Sequence, residues 1–128
     1  MKNSKTISFI RIVRTGSGND HFVRLVKLLD SDLAKRDAED HAFYSQYNKI
    51  DQINYVVIAY ENVQPVGCGA IKEFSQTAME VKRMYTVPSS RGQGIAGKVL
   101  SELETWAKEL GYKTCVLETG KRQPEAIA

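Results

Sequence analysis

The sequence contains very little cysteine, and this scarcity excludes two kinds of protein. Only Cys68 and Cys115 occur in 128 residues, too few for a disulfide framework. Neither has metal-ligand spacing to His21 or His41. We therefore expect two reduced thiols in a core, and no metal site.

Long hydrophobic runs are lacking as well. No apolar stretch approaches the roughly 20 residues that a membrane-spanning helix needs. Residues 1–6 are polar and lack the apolar segment of a secretory signal. The expectation is a cytoplasmic protein that does not bind membranes.

An excess of one charge is also missing. The sequence has 18 Lys and Arg against 15 Asp and Glu, which gives a net charge of +3. The basic residues are scattered and not interleaved with aromatic ones, so nucleic-acid binding is not expected. With 42% hydrophobic and 26% charged residues, the composition is that of a globular protein. The length predicts a single domain over residues 1–128.

What the sequence does contain is a series of β-rich and helical segments. β-branched residues predict a first strand over residues 6–14. A helix follows, with Phe22, Leu25, Val26, Leu29 and Leu33 on one face. A second, aromatic helix is predicted around Phe43, Tyr44 and Tyr47. Strands predicted at 55–60, 66–74 and 78–87 have no crossover helix between them, which favours an antiparallel meander.

The last part of the chain predicts one more helix and one more strand. Apolar residues from Ile95 to Leu110 recur at helical spacing, Gly111 ends the helix, and residues 113–118 form a short strand. Because the helix crosses over between two strands, the last strand should lie parallel to the strand that ends at Val87. The predicted fold is α+β with a mixed sheet.

A glycine-rich loop lies between the fourth strand and this helix. Residues 91–97 read Arg-Gly-Gln-Gly-Ile-Ala-Gly. Small residues let a ligand approach the backbone closely, and the unpaired amides at a helix start attract an anion such as a pyrophosphate. This loop is the leading candidate for a binding site.

Other interpretations of the loop are open. Gly92, Gly94 and Gly97 fit the dinucleotide-binding spacing G-x-G-x-x-G, with Glu118 at about the distance of a ribose-binding acid, which would suggest an NAD-dependent oxidoreductase. In that fold, however, the glycines directly follow a buried apolar strand, whereas here the strand is charged and Pro88 intervenes. A purely structural turn is a further alternative. A P-loop is excluded, because no Gly-Lys-Ser or Gly-Lys-Thr follows.

Several motifs resemble the GCN5-related N-acetyltransferase (GNAT) family. Its cofactor loop is Arg or Gln, two residues, Gly, one residue, then Gly or Ala, and Arg91, Gly94 and Ala96 match it. The strand Glu80-Val81-Lys82-Arg83-Met84-Tyr85 and the tail from Glu118 to Ile127 resemble many bacterial members. The order of elements resembles the family over nearly the whole chain, which implies a mixed sheet with helices on both faces.

The resemblance implies an N-acetyltransferase with acetyl-CoA as co-substrate and no metal. The strand backbone from Met84 onward would pair with the pantetheine arm, and the loop amides would hold the pyrophosphate. The cofactor-binding residues implied are Met84, Tyr85, Thr86, Val87, Arg91, Gly92, Gln93, Gly94, Ile95, Ala96, Gly97 and, in the tail, Gln123.

Glu80 lies at the position that resembles the base glutamate of some family members. Acetyl transfer requires a neutral amine, because an ammonium has no lone pair, so a base is needed. Strand alternation places Glu80 on the same face as Lys82 and Met84. The alternative is a solvent-facing glutamate paired with a lysine.

The acceptor amine is less readable. In the family, the first two helices and their joining loop line the acceptor side. The acids of residues 30–40, with His41, Phe43, Tyr44 and Tyr47, would then favour a cationic, partly apolar amine. A solvated corner between two helices is the alternative interpretation.

The family usually continues after the Ala-Ile that Ala126-Ile127 resembles, with a helix and two more strands. A tyrosine of that helix often protonates the departing thiolate, and this sequence ends at Ala128. It therefore identifies no general acid, since Tyr85 is more typical of a packing residue. A non-catalytic acyl-CoA-binding module is the second hypothesis. The strand edge left exposed also leaves a homodimer open.

Overall fold

A computed structural model of the protein describes residues 9–36 and 53–117, which form one mixed sheet with a helix on each face. The predicted strand residues 6–8, the helix around Phe43 and the residues from Glu118 onward lie outside this part. The elements in chain order are β1 (Ile10–Thr15), α1 (Asp20–Arg36), β2 (Tyr55–Glu61), β3 (Gln64–Glu73), β4 (Ala78–Thr86), a 3-10 turn (Pro88–Ser90), α2 (Ile95–Glu109) and β5 (Thr114–Leu117).

The strand order in the sheet follows the chain, from β1 at one edge to β5 at the other. Neighbouring strands from β1 to β4 are antiparallel, and β4 and β5 are parallel. The tight turn after β2 allows this pairing because Asn62, at φ 57°, adopts the left-handed conformation that asparagine tolerates. The predicted meander and the parallel last strand are both confirmed.

The two faces of the sheet bury alternate residues of each strand. On the α1 face, Phe22, Leu25 and Val26 pack against a cluster that includes Ile58 and Cys68. On the α2 face, side chains of α2 such as Val99 and Leu103 pack against alternate strand residues, Val57 and Ala59 among them. Helices on both faces were expected, and this too is confirmed. None of the helices in the described ranges is long and apolar enough to span a bilayer.

A β-bulge interrupts β4 in its middle. Cys68 pairs with Tyr85 and Ala70 pairs with Lys82, so Arg83 and Met84 together lie opposite Gly69. Arg83 has φ 60°, a left-handed conformation that is rare for a long side chain. The bulge reverses the alternation of faces along the second half of the strand.

The edge strand β1 is tied to α2 by ion pairs. Arg14 Nε donates to Glu102 Oε2 at 2.6 Å, and its Nη1 donates to Glu109 Oε1 at 2.8 Å. The Arg14 guanidinium carbon also lies 4.8 Å from the centroid of the Trp106 ring. The hydrogen bond with Arg14 lowers the pKa of Glu109 below its ordinary value. These contacts join residues that are 88 and 95 positions apart.

Candidate functional site

The glycine loop joins the end of β4 to the start of α2 and is exposed. Gly92 and Gly94 have φ values of 84° and 77°, which side chains rarely adopt. A Cβ at either position would meet no atom within 4 Å. These glycines are therefore required by backbone conformation and not by packing.

The amides of residues 92–97 point to no backbone acceptor in the described part of the chain. The first helical bond of α2 is donated by Lys98 N to Gly94 O at 3.1 Å. The N-cap, Gly94, supplies no capping side chain, and the first turn of α2 contains no acidic residue. An anion could therefore accept hydrogen bonds at this helix start without displacing a group of residues 9–36 or 53–117.

The strand β4 leads into this loop with one edge open. Its pairing with β5 runs from Ala78 to Val81, and the described residues place no strand beside the β5 side of Met84, Tyr85 and Thr86. The other edge is occupied by β3, and Val87 N donates to Val66 O at 2.9 Å. An extended ligand could therefore add to the open edge as a strand would.

Arg91 is exposed, but its guanidinium lies against β4 and α1. Its Nε donates to the carbonyl oxygen of Thr86 at 2.8 Å, and its Nη2 donates to Asp32 Oδ2 of α1 at 3.4 Å. Its guanidinium carbon lies 5.5 Å from the centroid of the Tyr85 ring. Arg91 therefore connects the loop to both β4 and α1.

Tyr85 is buried on the α1 face. Burial raises the pKa of its phenol above the ordinary value, the nearby Asp32 carboxylate raises it further, and Arg91 opposes the shift. The phenol thus stays protonated at neutral pH and packs between α1 and the loop. This surrounding fits the packing role expected for Tyr85.

Glu80 lies in β4 before the bulge, and its pairing with Lys72 places it on the α1 face together with Lys82. Lys82 Nζ lies 3.5 Å from Glu80 Oε1. Met84 packs on the opposite face, in the cluster of α2. The prediction that Glu80 shares a face with Met84 is therefore wrong. The reason is the extra residue at Arg83, which shifts the alternation by one.

The other predicted loop residues divide into exposed and buried ones. Gln93, Ala96 and Gly97 are exposed, whereas the Ile95 side chain is buried to 2% exposure and anchors the start of α2 in the core. Gln123 lies outside the described residues, as do His41, Phe43, Tyr44 and Tyr47.

Two neighbours of the loop were not found by sequence reasoning. The sequence places Asp32 among the acids of a predicted acceptor site, but its carboxylate contacts Arg91. Because the two residues are 59 positions apart, the sequence around either one does not indicate the contact. Lys98, exposed in the first turn of α2, adds a positive charge near the loop amides. The sequence feature that could have identified Lys98 is its position four residues after Gly94, in the first turn of the predicted helix. In residues 9–36 and 53–117, no group of His, Cys, Asp or Glu is arranged to hold a metal ion.

The sequence matches a known family model and several related sequences. The model of the acetyltransferase (GNAT) family matches residues 22–128. An IAA acetyltransferase of Azospirillum brasilense is 32% identical over 123 residues, which cover 93% of this chain and 79% of that protein. The uncharacterized N-acetyltransferase YjgM of Escherichia coli (strain K12) is 38% identical over 77 residues, 58% of this chain. Against this relative the chain spans less than half of the length, 46%.

The fold is also similar to solved structures. A protein from Klebsiella pneumoniae, described as an acyl-CoA N-acyltransferase, superposes with a TM-score of 0.72 at 27% identity. The match covers 92% of this chain and 77% of that one. The mixed sheet with a parallel last pair of strands is therefore shared with the Klebsiella protein.

Proposed function

Because the chain belongs to the acetyltransferase (GNAT) family, we propose that it is an N-acetyltransferase that moves an acetyl group from acetyl-CoA to a primary amine of a small molecule or peptide. The observation that carries the proposal is the row of amides over residues 92–97, which lack a backbone acceptor in the described part of the chain and follow directly on the open edge of β4. The name of the Klebsiella relative supports an acyl-CoA donor.

Acetyl-CoA would lie along β4 and across the start of α2. The backbone of Met84, Tyr85 and Thr86 would bond the pantetheine amides, while the amides from Gly92 to Gly97 would hold the pyrophosphate. The amide of Arg91 already donates to the carbonyl oxygen of Pro88 at 3.3 Å. The amide of Val87 already donates to Val66, so Val87 would mark the end of this stretch. The proposed cofactor contacts are Met84, Tyr85, Thr86, Val87, Arg91, Gly92, Gln93, Gly94, Ile95, Ala96, Gly97 and Gln123.

Glu80 is the proposed general base. It would take a proton from the acceptor ammonium, directly or through a water, and the free amine would attack the thioester carbonyl. A C–N bond then forms, the C–S bond breaks, and CoA leaves as a thiolate that takes up the proton released when the attacking nitrogen becomes an amide. Lys82, whose Nζ lies 3.5 Å from Glu80 Oε1, would hold the Glu80 carboxylate in place before the proton transfer.

Binding is the first test of this proposal. Calorimetric titration with acetyl-CoA, CoA and NADH should give binding of the first two ligands alone. Binding of NADH without binding of CoA would refute the proposal and indicate a dinucleotide-binding site. Binding of acetyl-CoA without thiol release would indicate a non-catalytic acyl-CoA-binding module.

Turnover tests the acceptor. Thiol release should be measured with polyamines, amino acids, aminoglycosides and peptide N-termini, and with IAA, for which one relative is named. An amine-dependent release of CoA is expected with at least one class. Since Asp32 contacts Arg91, the support for a cationic acceptor rests on the remaining acids, and turnover with acidic acceptors alone would refute it.

The role of Glu80 is tested by Glu80→Gln. We expect kcat to fall by about tenfold to a hundredfold and the pH–rate profile to lose its base-dependent limb. Glu73→Gln is the matched control, because Glu73 is also a strand glutamate, hydrogen-bonded by Tyr112. Equal rates and profiles for the parent and Glu80→Gln would remove Glu80 from the mechanism.

A further inference from the structure

Asp32 connects α1 to the glycine loop across 59 residues of sequence. Its carboxylate accepts from Arg91 Nη2 at 3.4 Å, while Arg91 Nε donates to the Thr86 carbonyl at 2.8 Å. The guanidinium also faces the Tyr85 ring at 5.5 Å. Three groups from α1 and β4 therefore fix one side chain of the loop.

We propose that Asp32 is a positioning residue for the cofactor loop. By holding Arg91 against Thr86 and Tyr85, it keeps the backbone that follows Arg91 in the conformation that exposes the amides of residues 92–97. This inference rests on the proposed function, because it assumes that acetyl-CoA binds at the loop.

The charge of Asp32 makes the proposal specific. A carboxylate near a pyrophosphate would by charge alone weaken the binding of that anion. If Asp32 acted only through its charge, its removal would therefore strengthen the binding of acetyl-CoA. A positioning role predicts the opposite result.

The ion pair itself should contribute little to the stability of the fold. The side chains of Arg91 and Asp32 are 45% and 30% exposed, and solvent screens pairs at such positions. Its effect should therefore appear in ligand affinity and not in the free energy of unfolding. Asp32 is also followed by Leu33, which is buried, so the position of α1 on the sheet sets the position of the carboxylate.

The experiment compares Asp32→Ala with Asp32→Asn, using calorimetry with acetyl-CoA and with S-acetylpantetheine, which lacks the pyrophosphate. Asp32→Ala should weaken acetyl-CoA binding about threefold to fivefold. Asp32→Asn should stay close to the parent, because its amide oxygen can still accept from Arg91. Neither variant should change the affinity for S-acetylpantetheine. In an Arg91→Ala background, Asp32→Ala should have no further effect.

Asp20→Ala is the matched control, because Asp20 is the first residue of the same helix, at the end away from Arg91. Equal acetyl-CoA affinity in the parent and Asp32→Ala would overturn this inference alone. Tighter binding by both Asp32 variants would also overturn it, because repulsion would then be the cause. If the parent did not bind acetyl-CoA, the proposed function would fail and this inference with it.

Discussion

Two sets of glycines in this molecule have opposite surroundings, one closely packed and one open. The sheet glycines, Gly67 and Gly69 of β3, lie under α2 where no side chain fits. A Cβ at Gly69 would come within 2.5 Å of Met84 Sδ and 2.9 Å of Leu103 Cδ1 and Val99 Cγ1. The loop glycines, Gly92, Gly94 and Gly97, lie in open space, where a Cβ would meet nothing within 4 Å.

The difference shows that a glycine in a sequence can mark either close packing or a ligand surface. At Gly67 and Gly69 side chains of α2, joined at Gly69 by Met84 of β4, occupy the space that a side chain would fill. At Gly92 and Gly94 a positive φ is required and the space beside the backbone stays open for a ligand. The first set supports stability and the second set supports the proposed function.

The largest expected effect is loss of stability in Gly69→Ala. The added methyl would overlap Met84, Val99 and Leu103, which overpacks the core and should lower the free energy of unfolding by about 2–3 kcal/mol. Urea denaturation measures this value. The control is Gly18→Ala, where a Cβ meets nothing within 4 Å and the change should be about 0.5 kcal/mol or less. A loss in Gly69→Ala no larger than this would show that the core adapts to the methyl.

The next prediction separates the loss of stability caused by a side chain at positive φ from the loss of ligand binding. Gly94→Val and Gly111→Val both place a side chain at positive φ, 77° and 98°, with open space around it. Each should cost about 1–2 kcal/mol of stability. Only Gly94→Val should lose acetyl-CoA affinity, by about tenfold or more, as measured by calorimetry. Unchanged affinity in folded Gly94→Val would refute the cofactor loop. Equal losses in both variants would trace the effect to destabilisation.

A pH effect should follow from the burial of Cys68, which lies between the two sheet glycines in sequence but on the opposite, α1 face of the sheet. Burial raises the pKa of its thiol from 9.0 to about 12, with Arg83 opposing the shift. Above pH 9 the unfolded chain loses this proton while the folded protein keeps it. The free energy of unfolding should therefore fall as pH rises from 9 towards 12, by about 1.4 kcal/mol at pH 10.

The measurement for this prediction is urea denaturation between pH 8 and pH 10.5, with Cys68→Ala as the comparison. Other groups titrate equally in both proteins, so the difference between the two curves isolates the thiol. Parallel curves would mean that Cys68 ionises as readily in the folded protein as in the unfolded chain.

The smallest effect should come from Gly97→Ala. Gly97 lies in the first turn of α2, where an added Cβ meets nothing and the exposed Ala96 beside it already carries one. Alanine should stabilise the helix by about 0.5–1 kcal/mol. Acetyl-CoA affinity should change by about twofold or less. A larger loss of affinity would place Gly97 with Gly94 as a residue that the ligand requires to be small.

Much of the fold could be predicted from residue patterns. Apolar spacing identified the helices that pack on each face, and the helix between Ile95 and Glu109 required a parallel last strand. Element ends differ from the predictions by one or two residues at most of the described boundaries. The faces of β4 could not be predicted, because the bulge forms at an arginine and not at a glycine or asparagine, which are the usual signals for positive φ.

The candidate site was predictable where it is continuous in sequence. The loop residues from Arg91 to Gly97 lie together because they follow one another, and their exposure follows from the turn between strand and helix. The partner of Arg91 was not predictable, since Asp32 lies among several acids and only the packing of α1 selects it. Sequence distance therefore limited the prediction more than residue chemistry did.

Because the ion pairs of Arg14 join distant parts of the chain, they can form only late in synthesis. β1 pairs with β2, whose first residue is Tyr55. The ion pairs of Arg14 form with Glu102 and Glu109 of α2, which are synthesised later still. A ribosome therefore releases β1 before β2 and α2 exist, and both the pairing of β1 with β2 and the ion pairs of Arg14 have to form across large loops. Such late, distant pairing slows folding. Until these partners are made, the β-branched Ile10, Ile12 and Val13 are unpaired strand residues that a chaperone or a second nascent chain could contact.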